Sequence, residues 1–492
     1  MLWTCVLLPS LPLEIYTRGQ VQDDARPFAV TTGGHYPRIV AADLRARAAG
    51  VREAQLVSAA LALAPDLVLR ERDPAQERAA LAAVATWTTQ FTPTVALAGT
   101  EAIVADIAGS LRLFGGLRTL LCTLQQGLQG LGYAASMTCA PTPLGALLLA
   151  RAGEPVIVTD PEALDARLAP LPLALLQPSP EALATLEAAG ITTFGAACRL
   201  PRDALARRVG HAFVALLDRA RGHVPDPQPR FVPPSRYQGR LDLPAPVADV
   251  EALAFAVNRL VHEMTGWLLG RALGVSAMTL TLAHERYIGV RTGIPATVVR
   301  FAIAAPAREP AHLIAVLRER LARVELPAPV ESVGLASEVT APLAGRNLGL
   351  LPDDDVVPAV PLLDRLRARL GEHAVMRVAP LAEHRPERAS TSAPDAAAPA
   401  HAARAGGQAN AMPAGPRPTW LLSEPQSLAA TFETTPWVLR DGPERIESGW
   451  WDGGDVRRDY YVAQSPHGET LWIYRDSRYG DDGEWFLHGV FA

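Results

Sequence analysis

Apolar side chains in the first 165 residues follow two patterns, short runs typical of buried strands and longer stretches with helical composition. The runs predicted to be strands are 2–8, 28–31, 38–41, 95–97, 103–107, 134–139 and 156–159. The stretches predicted to be helices are 77–90, 117–131 and 144–152. Strands that alternate with helices in this way predict an α/β or α+β layer.

Short helices joined by Gly and Pro turns are predicted for the next segment, residues 166–224. A helix that ends near Ala189, then Gly190 and Ile191, then a second helix, resembles a helix-hairpin-helix. Glycine supplies the positive φ that ends the first helix. Such a hairpin can direct backbone amides at a DNA phosphate. A plain helical hairpin fits these residues equally well, so both interpretations stay open.

A clear βαββαβ order follows the Pro-rich residues 223–234. The predicted strands are 237–243, 278–282, 299–303 and 331–340, and the predicted helices are 251–268 and 311–324. In the first of these helices an apolar stripe recurs at helical spacing through Val257, Val261 and Leu268. The order predicts a sheet covered by two helices on one face.

A further helix at 362–371 and a short strand at 374–378 precede a change in composition. Residues 388–417 are mostly Ala, Pro, Gly and Ser, which cannot bury a core, so they are predicted to form a flexible linker. Residues 418–492 are rich in Trp and Tyr and predict a small β-rich module.

Composition narrows the function classes. The 492 residues are 49% hydrophobic, and 46 basic against 51 acidic side chains give a net charge of −5, which argues against a uniformly basic nucleic-acid coat. All the basic residues are arginine, so a Walker P-loop and Schiff-base chemistry, which both need lysine, are excluded. A GC-rich genome is the ordinary explanation for this bias.

The four cysteines form no CxxC pair, which argues against a zinc cage or a redox motif and fits a reducing compartment. The apolar start lacks a basic region and a cleavage site, so it is expected to be a buried strand, not a signal peptide. No apolar run is long enough to span a membrane. We therefore expect a cytoplasmic protein without a membrane partner.

Several motifs carry a resemblance to a known family. They are SLRLFGG at 110–116, LRARLG at 366–371, HRPER at 384–388, GPERIESGWWDG at 442–453, RRDYY at 457–461 and WFLHGVF at 485–491. With them the chain resembles the Y-family (translesion) DNA polymerases, and more closely their ImuB branch. The resemblance covers nearly the whole chain except the linker.

The resemblance implies an α+β fold with Y-family polymerase architecture, divided into five parts. They are palm and fingers (1–165), a helical thumb with the hairpin (166–232), a βαββαβ little finger with the following helix and a clamp-binding segment (233–387), a disordered linker (388–417) and a C-terminal partner-binding module (418–492).

Polymerase chemistry needs acidic side chains that hold two Mg²⁺ ions about 4 Å apart. The resemblance places the aspartates of the first strand at Cys5 and Leu7, and the second acidic pair at Glu101 and Ala102. One carboxylate therefore remains of the metal site, which implies an inactive polymerase homologue with no metal and no cofactor.

The triphosphate contacts are replaced as well. The resemblance places a tyrosine at Leu44, retains Arg47, and places a lysine at Glu154 and an Asn-Lys pair at Thr142-Pro143. A glutamate at position 154 would repel a triphosphate.

An alternative interpretation remains open at this point. A weakly active translesion polymerase could use Glu101 and Asp106 as metal ligands, although a turn residue and a structural acid are the ordinary roles of such side chains.

For ImuB the resemblance implies an adapter of a mutagenic DNA-repair complex of the SOS response. The implied partners are DNA, the sliding clamp (the β subunit), the RecA-like protein ImuA and an error-prone, DnaE-type C-family polymerase, and the location is the nucleoid. Clamp-binding peptides present an amide and then an apolar pair. The segment Asn347-Leu348-Gly349-Leu350-Leu351 follows that pattern, with a buried loop as the alternative.

Arginines of the thumb and the little finger are candidate phosphate contacts, because a guanidinium binds phosphate through two parallel hydrogen bonds. For any one of them a solvated charged face is the alternative. The candidate DNA-binding residues are Gly190, Arg207, Arg208, Arg286, Arg291 and Arg300.

Overall fold

A computed structural model places the chain in two compact units, Met1–Arg369 and Leu370–Ala492. The residues described are 1–19, 26–153, 155–343, 359–371, 374–381, 383–394, 416–428, 436–478 and 483–491. Among their helices, none is both long and apolar enough to cross a membrane.

The helices are α1 (Leu11–Thr17), α2 (Leu44–Ala48), α3 (Val57–Leu63), α4 (Pro74–Thr88), α5 (Leu117–Gly130), α6 (Pro143–Arg151), α7 (Pro161–Leu168), α8 (Pro180–Ala188), α9 (Phe194–Cys198), α10 (Arg202–Val209), α11 (His211–Arg221), α12 (Val250–Gly270), α13 (Arg286–Thr292), α14 (Pro310–Leu321) and α15 (Ala359–Leu370).

The strands are β1 (Trp3–Leu7), β2 (Phe28–Thr31), β3 (Ile39–Ala42), β4 (Val68–Glu71), β5 (Val95–Ala98), β6 (Ala102–Asp106), β7 (Ser136–Ala140), β8 (Gln238–Val247), β9 (Leu273–His284), β10 (Ala296–Ala307), β11 (Val330–Pro342), β12 (Met376–Pro380), β13 (Ser390–Pro394), β14 (Trp420–Ser427), β15 (Val438–Ser448), β16 (Val456–Gln464), β17 (Thr470–Asp476) and β18 (Trp485–Val490).

Four antiparallel strands in the order β5-β6-β1-β7 form the palm sheet. All of β1 is buried because alternate side chains face two different helical layers. Val6 and Leu8 pack with α4 and α5, whereas Cys5 and Leu7 pack with α6 and the helices after it. Two buried faces explain why the sequence shows a continuous apolar run here.

A three-stranded sheet in the order β3-β2-β4 lies in the fingers region. The strand β4 pairs in parallel with β2. The apolar pattern of the sequence did not predict α1 or β4. The pattern is weak because β4 has four residues that are only half-buried or exposed. The helix α1 begins with Pro12 in its first turn, a position that tolerates proline.

Short capped helices form the thumb, as the sequence predicts. The side chains of Asp160, Ser179 and Thr193 accept hydrogen bonds from backbone N–H groups at the starts of α7, α8 and α9. Their apolar faces join α6 in one cluster that contains Leu164 and Phe213. Thumb and palm therefore share a core.

The little-finger sheet has the strand order β10-β9-β11-β8, and α12 and α14 pack with it in one apolar core. The predicted βαββαβ order is present, with α13 added between β9 and β10. The helix α15 belongs to the same core through Ala368. Asp364 of α15 accepts hydrogen bonds from the Ala304 backbone N–H (2.8 Å) and His312 Nε2 (3.2 Å).

The second unit contains a five-stranded antiparallel sheet in the order β14-β18-β17-β16-β15, which agrees with the predicted β-rich module. A two-stranded sheet, β12 with β13, precedes it. The strand β13 lies inside the segment for which the sequence predicts a linker. Pairing with β12 gives this Ser-, Thr- and Ala-rich stretch the backbone hydrogen bonds that its composition does not reveal.

Candidate functional site

At one corner of the palm sheet, two facing positions to which the resemblance assigns metal-binding acids carry apolar side chains. Leu7 at the end of β1 pairs with Ala102 on β6 and with Ser136 on β7. Leu7 is 7% exposed and Ala102 is fully buried. Neither side chain can ligate a cation, so the positions that the resemblance assigns to metal aspartate and glutamate contribute only packing.

The second position on β1, Cys5, is also buried. Burial raises the pKa of the Cys5 thiol to about 12, although Arg151 nearby lowers it in part. The thiol is therefore protonated at neutral pH. All four cysteines are free, and no cluster of three or more metal-ligating side chains occurs within the described residues.

Glu101 is the acid that remains at this corner, and its carboxylate faces an arginine. Arg151 on α6 places Nε 3.5 Å from Glu101 Oε1, and its Nη1 donates to the Leu175 carbonyl at 3.0 Å. The Arg151 side chain is 11% exposed, whereas that of Glu101 is 43% exposed. A cation next to the carboxylate opposes the binding of a metal ion there.

Asp106 lies far from Glu101 along β6, which argues against the pairing in the alternative interpretation. Asp106 pairs with Trp3 at the start of β1, whereas Glu101 precedes Ala102, the partner of Leu7 at the other end. Five residues of extended strand separate their Cα atoms by about 17 Å. Two metal ions about 4 Å apart need their shared ligands much closer together. Asp106 Oδ1 instead accepts from the Ala108 N–H at 3.1 Å.

Three positions in or after the fingers are assigned to triphosphate contacts by the resemblance: Leu44, Arg47 and Glu154. Leu44 is 83% exposed at the start of α2. Arg47 is half-exposed, and its Nη2 lies 3.7 Å from Glu53 Oε1. Glu154 lies outside the described residues. Of the described positions in this set, Arg47 carries a cationic side chain, and it is already paired with a carboxylate.

Thr142 and Pro143 begin α6 in place of the expected Asn-Lys pair. Thr142 Oγ1 accepts from the Gly145 N–H at 3.0 Å and donates to the Ala220 carbonyl at 2.7 Å. Pro143 occupies the first turn of the helix. The pair thus caps α6 and fixes it to the end of α11 in the thumb.

The candidate DNA-binding residues divide between two regions of the first unit. Gly190 follows α8 with a φ of +71°, as the hairpin prediction requires, and no atom lies within 4 Å of the site of a Cβ. Arg207 and Arg208 are exposed on α10. Arg208 borders an apolar cavity of about 220 Å³ between α8 and α10.

The little-finger arginines are exposed as well. Arg286 and Arg291 lie on α13, and Arg300 lies on the edge strand β10. Phe301 and Ile303 point into the core below the sheet, so Arg300 lies on the open face by strand alternation. The clamp-motif residues Asn347, Leu348, Gly349, Leu350 and Leu351 lie outside the described residues.

A buried polar cluster between palm and little finger was missed by the sequence interpretation. Arg18, 5% exposed, donates from Nη2 to Glu263 Oε2 at 3.0 Å and from Nε to the Leu131 carbonyl at 3.2 Å. Tyr133 hydroxyl also accepts from Arg18, and Tyr237 hydroxyl lies 3.3 Å from Glu263 Oε1. The sequence gave no signal for the pairing of Arg18 with Glu263, because each is a single charged residue in its segment and 245 residues separate them.

Comparisons with known proteins agree with the resemblance. The impB/mucB/samB family model matches residues 20–151. Protein ImuB of Caulobacter vibrioides (strain NA1000 / CB15N) is 32% identical over 475 residues, which are 90% of this chain and all of that protein.

Solved structures of low similarity include DinB from Sulfolobus solfataricus, at 16% identity and a TM-score of 0.39, covering 70% of this chain and 100% of that one. A Y-family DNA polymerase chimera of Dbh and Dpo4 is 15% identical with a TM-score of 0.41, covering 69% and 98%.

The assignment rests on the full-length sequence relative. At 32% identity over 90% of its length, the chain belongs to the ImuB family, a group of Y-family-related proteins.

Proposed function

We propose that this protein is a non-catalytic adapter of a translesion-synthesis complex in the DNA-damage (SOS) response. It binds DNA, the sliding clamp, ImuA and an error-prone C-family polymerase. The observation that carries the proposal is the direct pairing of buried Leu7 with buried Ala102 at the metal corner of the palm sheet. Family membership supports the descent from a polymerase.

Loss of the carboxylates removes the template for the chemistry. In two-metal phosphoryl transfer the ions hold both the attacking and the leaving oxygen, and carboxylates hold the ions. Here Glu101 faces Arg151 and has no acidic neighbour on β1. A palm without these carboxylates keeps its fold and serves as a scaffold, while a partner polymerase synthesises the DNA.

Primer extension tests the absence of catalysis. We expect no nucleotide incorporation on undamaged or lesion-containing templates in Mg²⁺ or Mn²⁺, beside an active Y-family polymerase as the positive control. Robust incorporation that is lost in Glu101→Ala would contradict the proposal.

Clamp binding is proposed for residues 347–351. Support comes from the elements on either side, since β11 ends at Pro342 and α15, which begins at Ala359, is held to the little finger by Asp364 and Ala368. Because both neighbouring elements are held in the little finger, a partner can bind the short peptide between them without unfolding its carrier.

Co-purification with the clamp tests this assignment. The double variant Leu350→Ala/Leu351→Ala should lose the clamp while its melting temperature stays that of the wild type. Leu343→Ala, a leucine just before the segment, serves as the matched control. Clamp binding that is unchanged in the double variant would refute the assignment.

DNA binding is proposed for the thumb hairpin at Gly190 and for the exposed arginines at 207, 208, 286, 291 and 300. Exposure supports the proposal, because each guanidinium is accessible to phosphate. If phosphate contacts dominate, affinity should fall steeply with salt, and a flat salt response would count against it.

A further inference from the structure

A tyrosine ring is exposed at the end of the little-finger sheet where β9 connects to β10. Tyr287 lies on α13 and is 74% exposed. Tyr237, the other tyrosine of the little finger, is 4% exposed, and its hydroxyl donates to the Leu260 carbonyl at 3.0 Å. Within the described residues Tyr287 has neither a hydrogen bond nor a ring contact. Its side chain therefore contributes nothing to the core.

Backbone contacts hold the helix that carries this ring. The His284 N–H donates to the Pro295 carbonyl at 2.9 Å, and the Glu285 N–H donates to the Pro329 carbonyl at 2.9 Å. A Cβ on Gly289 would lie 3.2 Å from Pro295 Cα, so α13 lies close against the chain that leads into β10. The ring is thus presented on a fixed support, and preorganisation of this kind lowers the entropy cost of binding.

Exposed arginines flank the ring. Arg286 directly precedes it, and Arg291 lies four positions after it, on the same face of α13. Arg300 is exposed on the open face of β10. Within the described residues the three guanidinium groups form no ion pair and no hydrogen bond. Phosphate groups can therefore reach them without breaking an existing pair.

The acidic side chains of this region are fewer and less exposed. Residues 284–300 contain one acid, Glu285, beside the three arginines. From the neighbouring strand β11, Glu331 Oε2 accepts from the Arg286 backbone N–H at 3.3 Å. Both glutamates are half-buried, whereas the three arginines are exposed. The surface around the ring is therefore basic and attracts phosphate.

We infer that Tyr287 stacks on an unpaired base of single-stranded DNA, while Arg286, Arg291 and Arg300 bind the phosphates around that base. This inference rests on the DNA binding proposed above and names its substrate class. Aromatic side chains beside a cationic surface that follows the backbone are the usual means of binding a single strand.

The ring decides between single strand and duplex. Contacts between arginine and phosphate are available on both forms of DNA and carry no sequence information. Inside a duplex each base is covered on both faces by its neighbours, so an exposed ring can stack only at an end. A single strand offers open base faces along its length, and this contact tolerates every base because each has a π-face. We therefore expect binding without sequence preference.

Fluorescence anisotropy of the full-length chain tests the inference, with a labelled single-stranded oligonucleotide and a long blunt duplex as probes. Wild type is compared with Tyr287→Ala, Tyr287→Phe and Phe255→Ala. Phe255 is the matched control, because it is a 40% exposed aromatic of the same little finger with the Arg259 guanidinium 4.2 Å from its ring centroid. It lies on α12, in the helical layer. Melting temperatures check that each variant keeps its fold.

Tyr287→Ala should bind single-stranded DNA about tenfold more weakly, as expected for the loss of one stacked base, while its affinity for the duplex is unchanged. Tyr287→Phe keeps the ring and should bind like the wild type, as should Phe255→Ala. Arg291→Ala should weaken the binding of both forms and lower the slope of log affinity against log salt by about one. Tyr287→Ala should leave that slope unchanged.

The other outcomes would overturn the inference. Wild-type affinity of Tyr287→Ala for the single strand removes the stacking but leaves DNA binding standing. An equal loss for single strand and duplex, or the same loss in Tyr287→Phe, shows that the residue supports the surface and does not stack on a base. A loss confined to co-purification with the clamp or the polymerase assigns the ring to a protein contact. A wild-type chain that binds neither form of DNA refutes DNA binding and the stacking together.

Discussion

Glu14 on α1 is a buried acid without a cationic partner at ion-pair distance in the part of the chain described. It is 7% exposed, Oε1 accepts from the Ala134 N–H at 2.7 Å, and Oε2 accepts no hydrogen bond. Burial raises the pKa of Glu14 to about 7 from its usual 4.5. Between pH 4.5 and about 7 the folded protein keeps a proton on Glu14 that the unfolded chain releases. The stability that this group contributes therefore falls as the pH rises through this range.

Glu14→Gln should remove this pH dependence. From pH 5 to pH 8 the wild type should lose about 1–3 kcal/mol of unfolding free energy relative to the variant, because each pKa unit corresponds to about 1.4 kcal/mol. Urea unfolding at the two pH values measures the difference. Glu53→Gln, at a carboxylate that is 66% exposed, is the control and should show no such trend. A difference that is the same at both pH values would rule out the titration of Glu14 as its cause.

At the same scale, the sequence already shows that the side chains at positions 7 and 102 cannot ligate a metal ion, because the sequence gives the type of each side chain. It could not show that Arg151 faces Glu101, or that Thr142 caps α6 and binds α11. These pairings depend on which elements pack together.

Trp87 shows at the scale of elements how helices of palm and little finger are fitted together. Its indole ring on α4 lies between two glycines, Gly127 of α5 and Gly266 of α12. A Cβ added to Gly127 would lie 2.3 Å from the ring, and a Cβ added to Gly266 would lie 2.2 Å from it. Gly266 is buried in the α4–α12 contact. The absence of these side chains lets three helices approach one large ring.

Gly266→Ala should therefore destabilise the protein by about 1–3 kcal/mol, although alanine favours a helix, because overpacking of a filled core displaces its neighbours. Gly130→Ala is the matched control, since Gly130 ends α5 and no atom lies within 4 Å of its Cβ position. That variant should be neutral or more stable by up to about 1 kcal/mol. Melting temperatures measure both, and a stabilised Gly266→Ala would contradict the close packing.

The helix α12 was predictable from apolar spacing and α4 from its composition, whereas α13 and β13 were not. The last two are short or poor in apolar residues, and they exist because the neighbouring strands position them. Gly190 was predictable, since the positive φ at the end of α8 is a local requirement that glycine meets.

At the scale of the whole molecule, a buried ion pair fastens the little finger to the palm. Arg18 and Glu263 are 5% and 4% exposed, and Arg18 also binds palm groups at Leu131 and Tyr133. Nearby, Gln76 Nε2 donates to Asp242 Oδ2 at 3.1 Å, again from the palm helix α4 to the little finger. A buried pair of this kind contributes to the geometry of the fold more than to its net stability.

Glu263→Ala should cost about 3–5 kcal/mol, because it leaves the Arg18 charge buried without its partner. Small-angle scattering should show a larger radius of gyration as the little finger separates from the palm. Arg18→Met/Glu263→Leu should recover most of the stability. Arg240→Ala, which removes an exposed pair with Asp242, is the control and should change stability by less than about 1 kcal/mol. A compact, fully stable Glu263→Ala would contradict this role.

The sequence by itself predicted most of the strands and helices, the glycine after α8 and the β-rich character of the C-terminal unit. Each of these depends on local spacing or on residue identity. The tertiary structure alone decided that Arg151 faces Glu101, that Arg18 meets Glu263, and that Trp450 and Trp451 are exposed while Trp472 is buried. These facts depend on contacts between residues far apart in the chain, which apolar periodicity and composition do not encode.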